Sequence, residues 1–370
     1  EGARYQTSKI QRSKERVNRL GYFKDVNLET PAVSGSEEQV DLDLSVKERP
    51  TGQFNMGVGY SDVEGAMFTS SIQQRNLFGR GQRVSLQADL GGVNQNLNFS
   101  FTEPYFTVNE ISAGVDVFYS QRDTDRLTLT RYTQDNAGAA VRLGFPLTEY
   151  WRDTVRLEGE RTDTRGGALG REAYDDDFLG VNRHVRLRNV LQYDSRDSTI
   201  FPQSGWLNKL SGEASVPPGD TRYLRLGLES RVYVPLWADL TWSVGGDLGR
   251  LTGYGGESVP FYEHYYLGGS RTVRGYDTYS LGPTDADGDP LGGVTKLQGN
   301  SELRFPMPGS GSRRIRGSVF ADMGWVYGEG ESIDPGKLRG SVGVGFRWIS
   351  PMGPLRFDYA FPLMDEPGDR

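Results

Sequence analysis

From about residue 51 onward apolar residues recur at every second position, a period that suits strands with two unlike faces and excludes amphipathic helices. Phe54, Met56, Val58 and Tyr60 alternate with Gln53, Asn55, Gly57 and Gly59, and Val84, Leu86, Ala88 and Leu90 with Arg83, Ser85, Gln87 and Asp89. Near the end, Val342, Val344, Phe346 and Trp348 alternate with Ser341, Gly343, Gly345 and Arg347. A soluble β-sandwich alternates as well, so alternation alone does not set the solvent. Strand length and number do. Segments of about 9–12 residues, repeated without an intervening helix, match tilted membrane-spanning strands, whereas soluble strands average about 5–6 residues. The pattern predicts fifteen strands, at 52–61, 65–75, 82–91, 95–103, 109–120, 135–145, 150–161, 184–194, 205–215, 221–234, 239–250, 295–305, 314–326, 338–349 and 354–361.

The connections add a second signal. Short links at 76–82, 103–108, 145–150, 235–239 and 350–353 alternate with longer, polar ones at 121–134, 161–182, 251–294 and 327–337. Short turns at one end and long loops at the other describe an all-β, antiparallel transmembrane barrel. Tyr105, Phe106, Tyr150, Trp151, Trp237 and Phe361, at strand ends, suit interfacial girdles. A bacterial single-chain barrel closes with an even strand count. The expectation is therefore a 16-stranded type whose last strand is missing from this chain.

The first fifty residues read differently. Ser8 to Leu20 predicts a helix ending at Gly21, followed by strands near 22–29 and 38–47. A helix with two strands is too small to bury a sound core alone, and it reads as the back half of an α+β module.

Composition narrows the chemistry. No run of 18 apolar residues is present, so a spanning helix of ordinary length is excluded. The absence of cysteine removes disulfides, thiol catalysis and Cys-ligated zinc. His184 and His264 are the only histidines, and neither lies near a GxSxG-type signature, so we expect packing or surface roles, no enzyme, no metal and no cofactor. Asp285, Asp287 and Asp289 resemble a calcium loop, but Lys296 stands at position twelve where a bidentate glutamate is required, so a solvated turn is expected. The run Asp175, Asp176, Asp177 reads as an external charged loop. A net charge of −7 argues against nucleic-acid binding.

The most specific stretch is YYLGGSRTVRGYDTYSLGP, in which Val273, Arg274, Gly275 and Tyr276 follow a Gly-Gly pair. With GYF at 21–23, VDLDLSVKE at 40–48, EPYF, FADMGWVYG and SPMGPLRFDYAFPL, it resembles the BamA family of outer-membrane β-barrel assembly proteins, within a wider superfamily of assembly and secretion barrels. The resemblance covers essentially the whole chain. It implies a partial periplasmic POTRA repeat over 1–50 and an outer-membrane barrel over 51–370, whose external loop 251–294 folds into the lumen. It also implies that Arg274 is held by acidic residues of the inner wall, at Glu302 and Asp322 in this sequence. The alternation agrees, since Glu302 shares a face with Lys296, Gln298, Asn300 and Arg304, and Asp322 lies between outward-facing Ala321 and Met323.

The function the resemblance implies is folding and insertion of client β-barrel proteins in the outer membrane of Gram-negative bacteria. The implied partners are unfolded outer-membrane clients, accessory lipoproteins of an assembly complex and the lipid bilayer. A poorly paired seam would leave a strand edge as a template. The strand expected to present it carries Phe54, Asn55, Met56, Gly57, Val58 and Gly59, where the glycines permit bending. A two-partner secretion channel that passes an unfolded polypeptide shares the POTRA-like module and the Arg274 loop and is the alternative.

Overall fold

The computed structural model describes residues 10, 17, 22–31, 33, 40–61, 64–124, 132–166, 178–199, 202–237, 239–285, 288–307, 315–350 and 353–364. Two antiparallel sheets form. The small one pairs β1 (Phe23–Glu29) with β2 (Asp43–Glu48). The large one contains β3 (Gly52–Ser61), β4 (Gly65–Leu77), β5 (Gln82–Leu90), β6 (Asn94–Glu103), β7 (Ser112–Asp123), β8 (Tyr132–Pro146), β9 (Trp151–Gly166) and β10 (Gly180–Asp194). It continues through β11 (Gly205–Ser215), β12 (Tyr223–Pro235), β13 (Thr241–Gly253), β14 (Thr295–Pro306), β15 (Ile315–Tyr327), β16 (Arg339–Ser350) and β17 (Gly353–Pro362). Each strand pairs with its neighbours in sequence, giving, among the described residues, a fifteen-stranded meander that runs from β3 to β17. Of the helix predicted over 8–20, Ile10 and Val17 are helical and the remaining residues lie outside the described set, as do the Asp175 to Asp177 run and Asp287.

The faces of this sheet are inverted relative to a soluble protein. Apolar side chains point out: Val58 is 88% exposed, and Leu226, Val344, Phe357 and Tyr359 are exposed as well. Charged and polar side chains point in, among them Asp116, Glu158, Arg186, Glu213, Glu302, Arg304 and Asp322, all buried. An apolar exterior around a polar interior is the arrangement of a barrel whose outer solvent is lipid. From β4 to β16 each strand is hydrogen-bonded to a neighbour on both sides, as hydrocarbon requires.

Several strands extend beyond their predicted ends. β8, β9 and β10 reach farther toward the long-loop end than the alternation indicated, because residues there are polar on both faces. Thr162, Thr164, Asn182 and His184 are buried against the lumen, and the ladder continues through Gly180 opposite Thr164. The long loop is likewise shorter than the 251–294 expected. β13 runs to Gly253, paired with Tyr223, and Leu251 is 1% exposed, so the loop proper is 254–294. At the opposite end, Tyr22, just before β1, is buried and its hydroxyl donates to the Gly81 carbonyl at 3.4 Å, resting the small sheet against the turn between β4 and β5.

Candidate functional site: a loop clamped across the lumen and an open strand edge

Loop 254–294 has its own backbone scaffold. Tyr265 and Gly293 exchange hydrogen bonds of 2.8 and 2.9 Å, Leu281 N donates to Leu267 O at 3.0 Å, and Gly269 N to Tyr276 O at 3.1 Å. Leu267, Val273, Tyr276 and Leu281 pack with Trp325, Val326 and Tyr327 of β15 in one buried cluster, the principal apolar core inside the barrel. That burial draws the loop inward. Gly268 lies at φ +109°, and a β-carbon there would collide with the Asp277 carbonyl. Gly275, at φ +91°, sits against β17, where a β-carbon would stand 3.1 Å from that of Ala360.

These constraints aim Arg274, 3% exposed, at the wall of β14 to β17. Its Nε donates to Asp322 Oδ2 at 2.6 Å and its Nη2 to Asp322 Oδ1 at 2.8 Å, a two-pronged contact that a lysine could not make. The Arg274 backbone N–H adds a third bond to Asp322 Oδ2 at 3.2 Å. The guanidinium lies over Phe320, 3.2 Å from the ring centroid. Asp358 on β17 is 3.4 Å from Nη1. Glu302 stands farther off, at 3.7 Å from the same nitrogen, and accepts its hydrogen bond from Arg347 Nη2 at 2.8 Å. Tyr276 OH lies 2.7 Å from Gly340 O and 2.9 Å from Met364 O, and Val273 is fully buried. The structure thus brings Val273, Arg274, Gly275, Tyr276 and Asp322 together, with Glu302 at the rim of the contact.

Sequence reasoning missed Asp358 and Phe320. Both share the lumen parity of their strands, and parity was the signal that could have found them: Asp358 pairs with Gly345, and Phe320 with Glu302.

A second anchor, also missed, holds the other arm of the loop. A short 3-10 turn, Phe261–Glu263, presents Glu263 to the wall of β9 to β12. Glu263 Oε1 accepts from Arg186 Nη2 at 2.7 Å, Oε2 pairs with Arg225, and Arg225 Nη2 donates to the Glu263 carbonyl at 3.1 Å. Burial alone would push the Glu263 carboxyl up. Arg186 and Arg225 outweigh it and hold the group at about 2. Arg186 is tied in turn to Glu158 at 3.2 Å and Glu160 at 3.0 Å. The histidines belong to this packing. His184 Nδ1 is 2.7 Å from Thr221 Oγ1 and its Nε2 is 3.3 Å from Tyr262 OH. His264 Nδ1 is 3.0 Å from Leu291 O, and burial lowers its basicity.

The predicted template strand is β3, which contains Phe54, Asn55, Met56, Gly57, Val58 and Gly59. It is hydrogen-bonded to β4 along Gly52 to Ser61. Among the described residues no ladder runs along its other side, and none joins β3 to β17. Phe54, Met56, Val58 and Tyr60 are exposed on the outer face, and Gly57 faces inward beside Thr69.

Comparison with known proteins places this architecture. Residues 76–370 match the Omp85 superfamily domain, and residues 1–49 match the surface antigen variable number repeat, a POTRA family. The outer membrane protein assembly factor BamA of Neisseria meningitidis serogroup B is 33% identical over 413 residues, covering 100% of this chain and 52% of that protein. The crystal structure of BamA from Haemophilus ducreyi lacking POTRA domains 1–3 superimposes with a TM-score of 0.86 at 29% identity, covering 100% of this chain and 77% of that one. CdiB from Acinetobacter baumannii shares the fold, with a TM-score of 0.63 at 14% identity over 98% of this chain and 66% of that one. The chain spans about half the length of the bacterial curated relatives it matches.

Proposed function

The chain belongs to the Omp85 superfamily, and from that premise we propose that it is the barrel-bearing part of an outer-membrane protein assembly factor, which folds and inserts client β-barrel proteins. In this reading the barrel sits in the outer membrane of a Gram-negative bacterium. Residues 1–50 belong to a POTRA repeat on the periplasmic side, at the end where β3 begins and the β4–β5 turn meets Tyr22. The partners are unfolded outer-membrane clients and the accessory lipoproteins of an assembly complex.

The observation that carries the proposal is the 33% identity to an outer membrane protein assembly factor over all of this chain, in a sheet whose exterior is apolar; the template is the edge of the first barrel strand, β3. An incoming strand that adds to this edge satisfies its backbone N–H and C=O groups before they meet hydrocarbon, where each orphan costs several kcal/mol. Gly57 and Gly59 reduce side-chain packing along the strand and allow it to bend away. The activity is a lowered folding barrier, carried by backbone pairing rather than by covalent chemistry. The clamped loop keeps the lumen wall in one arrangement while the edge is used. Arg274 braces β15 and β17 through Asp322 and Asp358, and so holds the end of the sheet opposite β3. The Val273 cluster and the Glu263 anchor hold the loop across the lumen, and the identity to an assembly factor over the whole chain favours this reading over the secretion-channel alternative.

The test is reconstitution of the protein in phospholipid vesicles, with the folding of a small unfolded barrel protein followed by its shift in gel mobility. The expected result is faster folding than in protein-free vesicles. Equal rates, or a large steady conductance without any effect on folding, would overturn the reading.

A further inference from the structure

Three arginines lie side by side on the lumen wall at the end that carries the small sheet. Arg316 on β15 is the register partner of Arg347 on β16, and Arg347 is the partner of Arg356 on β17. Register partners on adjacent strands share a face and stand about 5 Å apart, and like charges placed directly opposite destabilise a sheet. Arg304 on β14 adds a fourth cation close by, opposite Ser318 and two residues up from Pro306, the partner of Arg316.

The carboxylates present do not balance this row. Glu302 is hydrogen-bonded to Arg347, and Asp358 is paired with Arg356 while also facing Arg274. Among the described residues Arg316 and Arg304 have only backbone carbonyls as hydrogen-bond acceptors: Asp239 O at 3.1 Å and Pro202 O at 3.1 Å, both in connections at this same end of the barrel. Arg304 is 5% exposed, and its Nε has no hydrogen-bond partner among the described residues, with Glu302 Oε1 at 3.9 Å. Among the described residues four guanidinium groups face two carboxylates, leaving an excess of two positive charges in a partly desolvated wall. An uncompensated buried charge is costly, and an anion that accepts from these N–H groups relieves that cost.

We propose that this row is a binding site for a carboxylate-bearing segment of an incoming polypeptide, caught at the periplasmic mouth beside β17. The cations face the lumen, away from the lipid side, and Arg347 and Arg356 keep 26% and 43% of their side chains exposed there, which favours an extended peptide over a phospholipid headgroup. Polar–apolar alternation in a client strand would place its acidic side chains or terminal carboxylate on the inward face, within reach of the row. The site deepens the assembly reading, because it names what the lumen wall recognises. Its test needs no insertion activity, so it can fail while that reading stands, and the reverse.

The experiment is fluorescence anisotropy on the detergent-solubilised protein, with two labelled ten-residue peptides of alternating polar and apolar residues. One carries a glutamate and a free C-terminal carboxylate. The other carries glutamine and a C-terminal amide. The acidic peptide should bind about tenfold more tightly or better, as a charge-assisted contact implies, with affinity falling as salt rises. Each of R316Q, R347Q and R356Q should reduce that preference, and the triple variant should abolish it. R356Q alters a half-exposed side chain and keeps the test open if R316Q fails to fold. Equal binding of the two peptides, or an undiminished preference in R356Q and the triple variant, would overturn the proposal. So would displacement of the acidic peptide by short-chain phosphatidylglycerol or inorganic phosphate at lower concentrations than by unlabelled acidic peptide, since that would assign the row to a headgroup or a free anion.

Discussion

The two anchors of the lumen loop use the same ion pair with opposite polarity. At the β14 to β17 wall the loop supplies the cation, Arg274, and the barrel the carboxylates; at the β9 to β12 wall the loop supplies the carboxylate, Glu263, and the barrel the cations. The difference lies in what remains when the loop residue is removed. Without Arg274, Asp322 keeps Asn300, whose Nδ2 donates at 2.6 Å, but has no other cation among the described residues. Without Glu263, Arg186 still has Glu158 and Glu160, and Arg225 has Glu213 at 3.9 Å. The first anchor is concentrated in one fork and the second is spread through a network. A fork that loses its cation leaves a buried charge unpaired, whereas the network has carboxylates in reserve.

That contrast can be broken by substitution. R274A should have the largest effect, loosening the loop by about 3–5 kcal/mol as a broken buried pair does. Proteolytic cleavage within 254–294 should then become rapid and client folding slow, while R271A, at an exposed position, should change either by no more than about 0.5 kcal/mol. R274K keeps the charge but loses the fork, and should cost about 1.5–3 kcal/mol in the same protection assay. Similar protection in R274A and R271A would remove the fork from the account.

E263Q should be milder, at about 1–2 kcal/mol, because the remaining carboxylates hold both arginines. Cleavage should appear first on the Phe261 arm, and a loss matching that of R274A would erase the distinction between concentrated and distributed anchors.

The smallest effect is one of pH. The Glu263 carboxyl is depressed from 4.5 to about 2 in the folded loop, so its contribution is fully present above about 4.5 and is lost as pH falls toward about 2. Protection of the 261–264 arm should therefore be level from pH 7 to pH 5 and decline below, and E263Q should flatten that decline.

How much of this was legible follows from the physics of each element. The strands from β3 to β17 were legible because one face of each meets lipid and the other an aqueous wall, which forces a period of two. The long-loop ends of β8 to β10 were not, because both faces are polar there and Thr162 and Thr164 resemble loop residues until the ladder shows them paired. Arg274 stood out through its flanking motif, and Asp322 through parity. Glu263 carried no local mark: it is one acid in an aromatic stretch, and Arg186 and Arg225 lie 77 and 38 residues away. Contacts between a loop and a distant wall are set by closure of the sheet, which no window of sequence contains.

The central claim is that the edge of β3 receives client strands, and cysteine cross-linking tests it most directly, since the chain has no cysteine of its own. Single cysteines at Asn55, Met56, Gly57 and Val58, and controls at Asn189 and Val190 on β10 in the middle of the sheet, would be paired with single cysteines along the terminal strand of a client arrested during insertion. The account predicts disulfides at β3 that shift in step with the client position, as a strand ladder requires, and none at β10. Equal yields at β3 and β10, or β3 yields that do not track the client register, would contradict it.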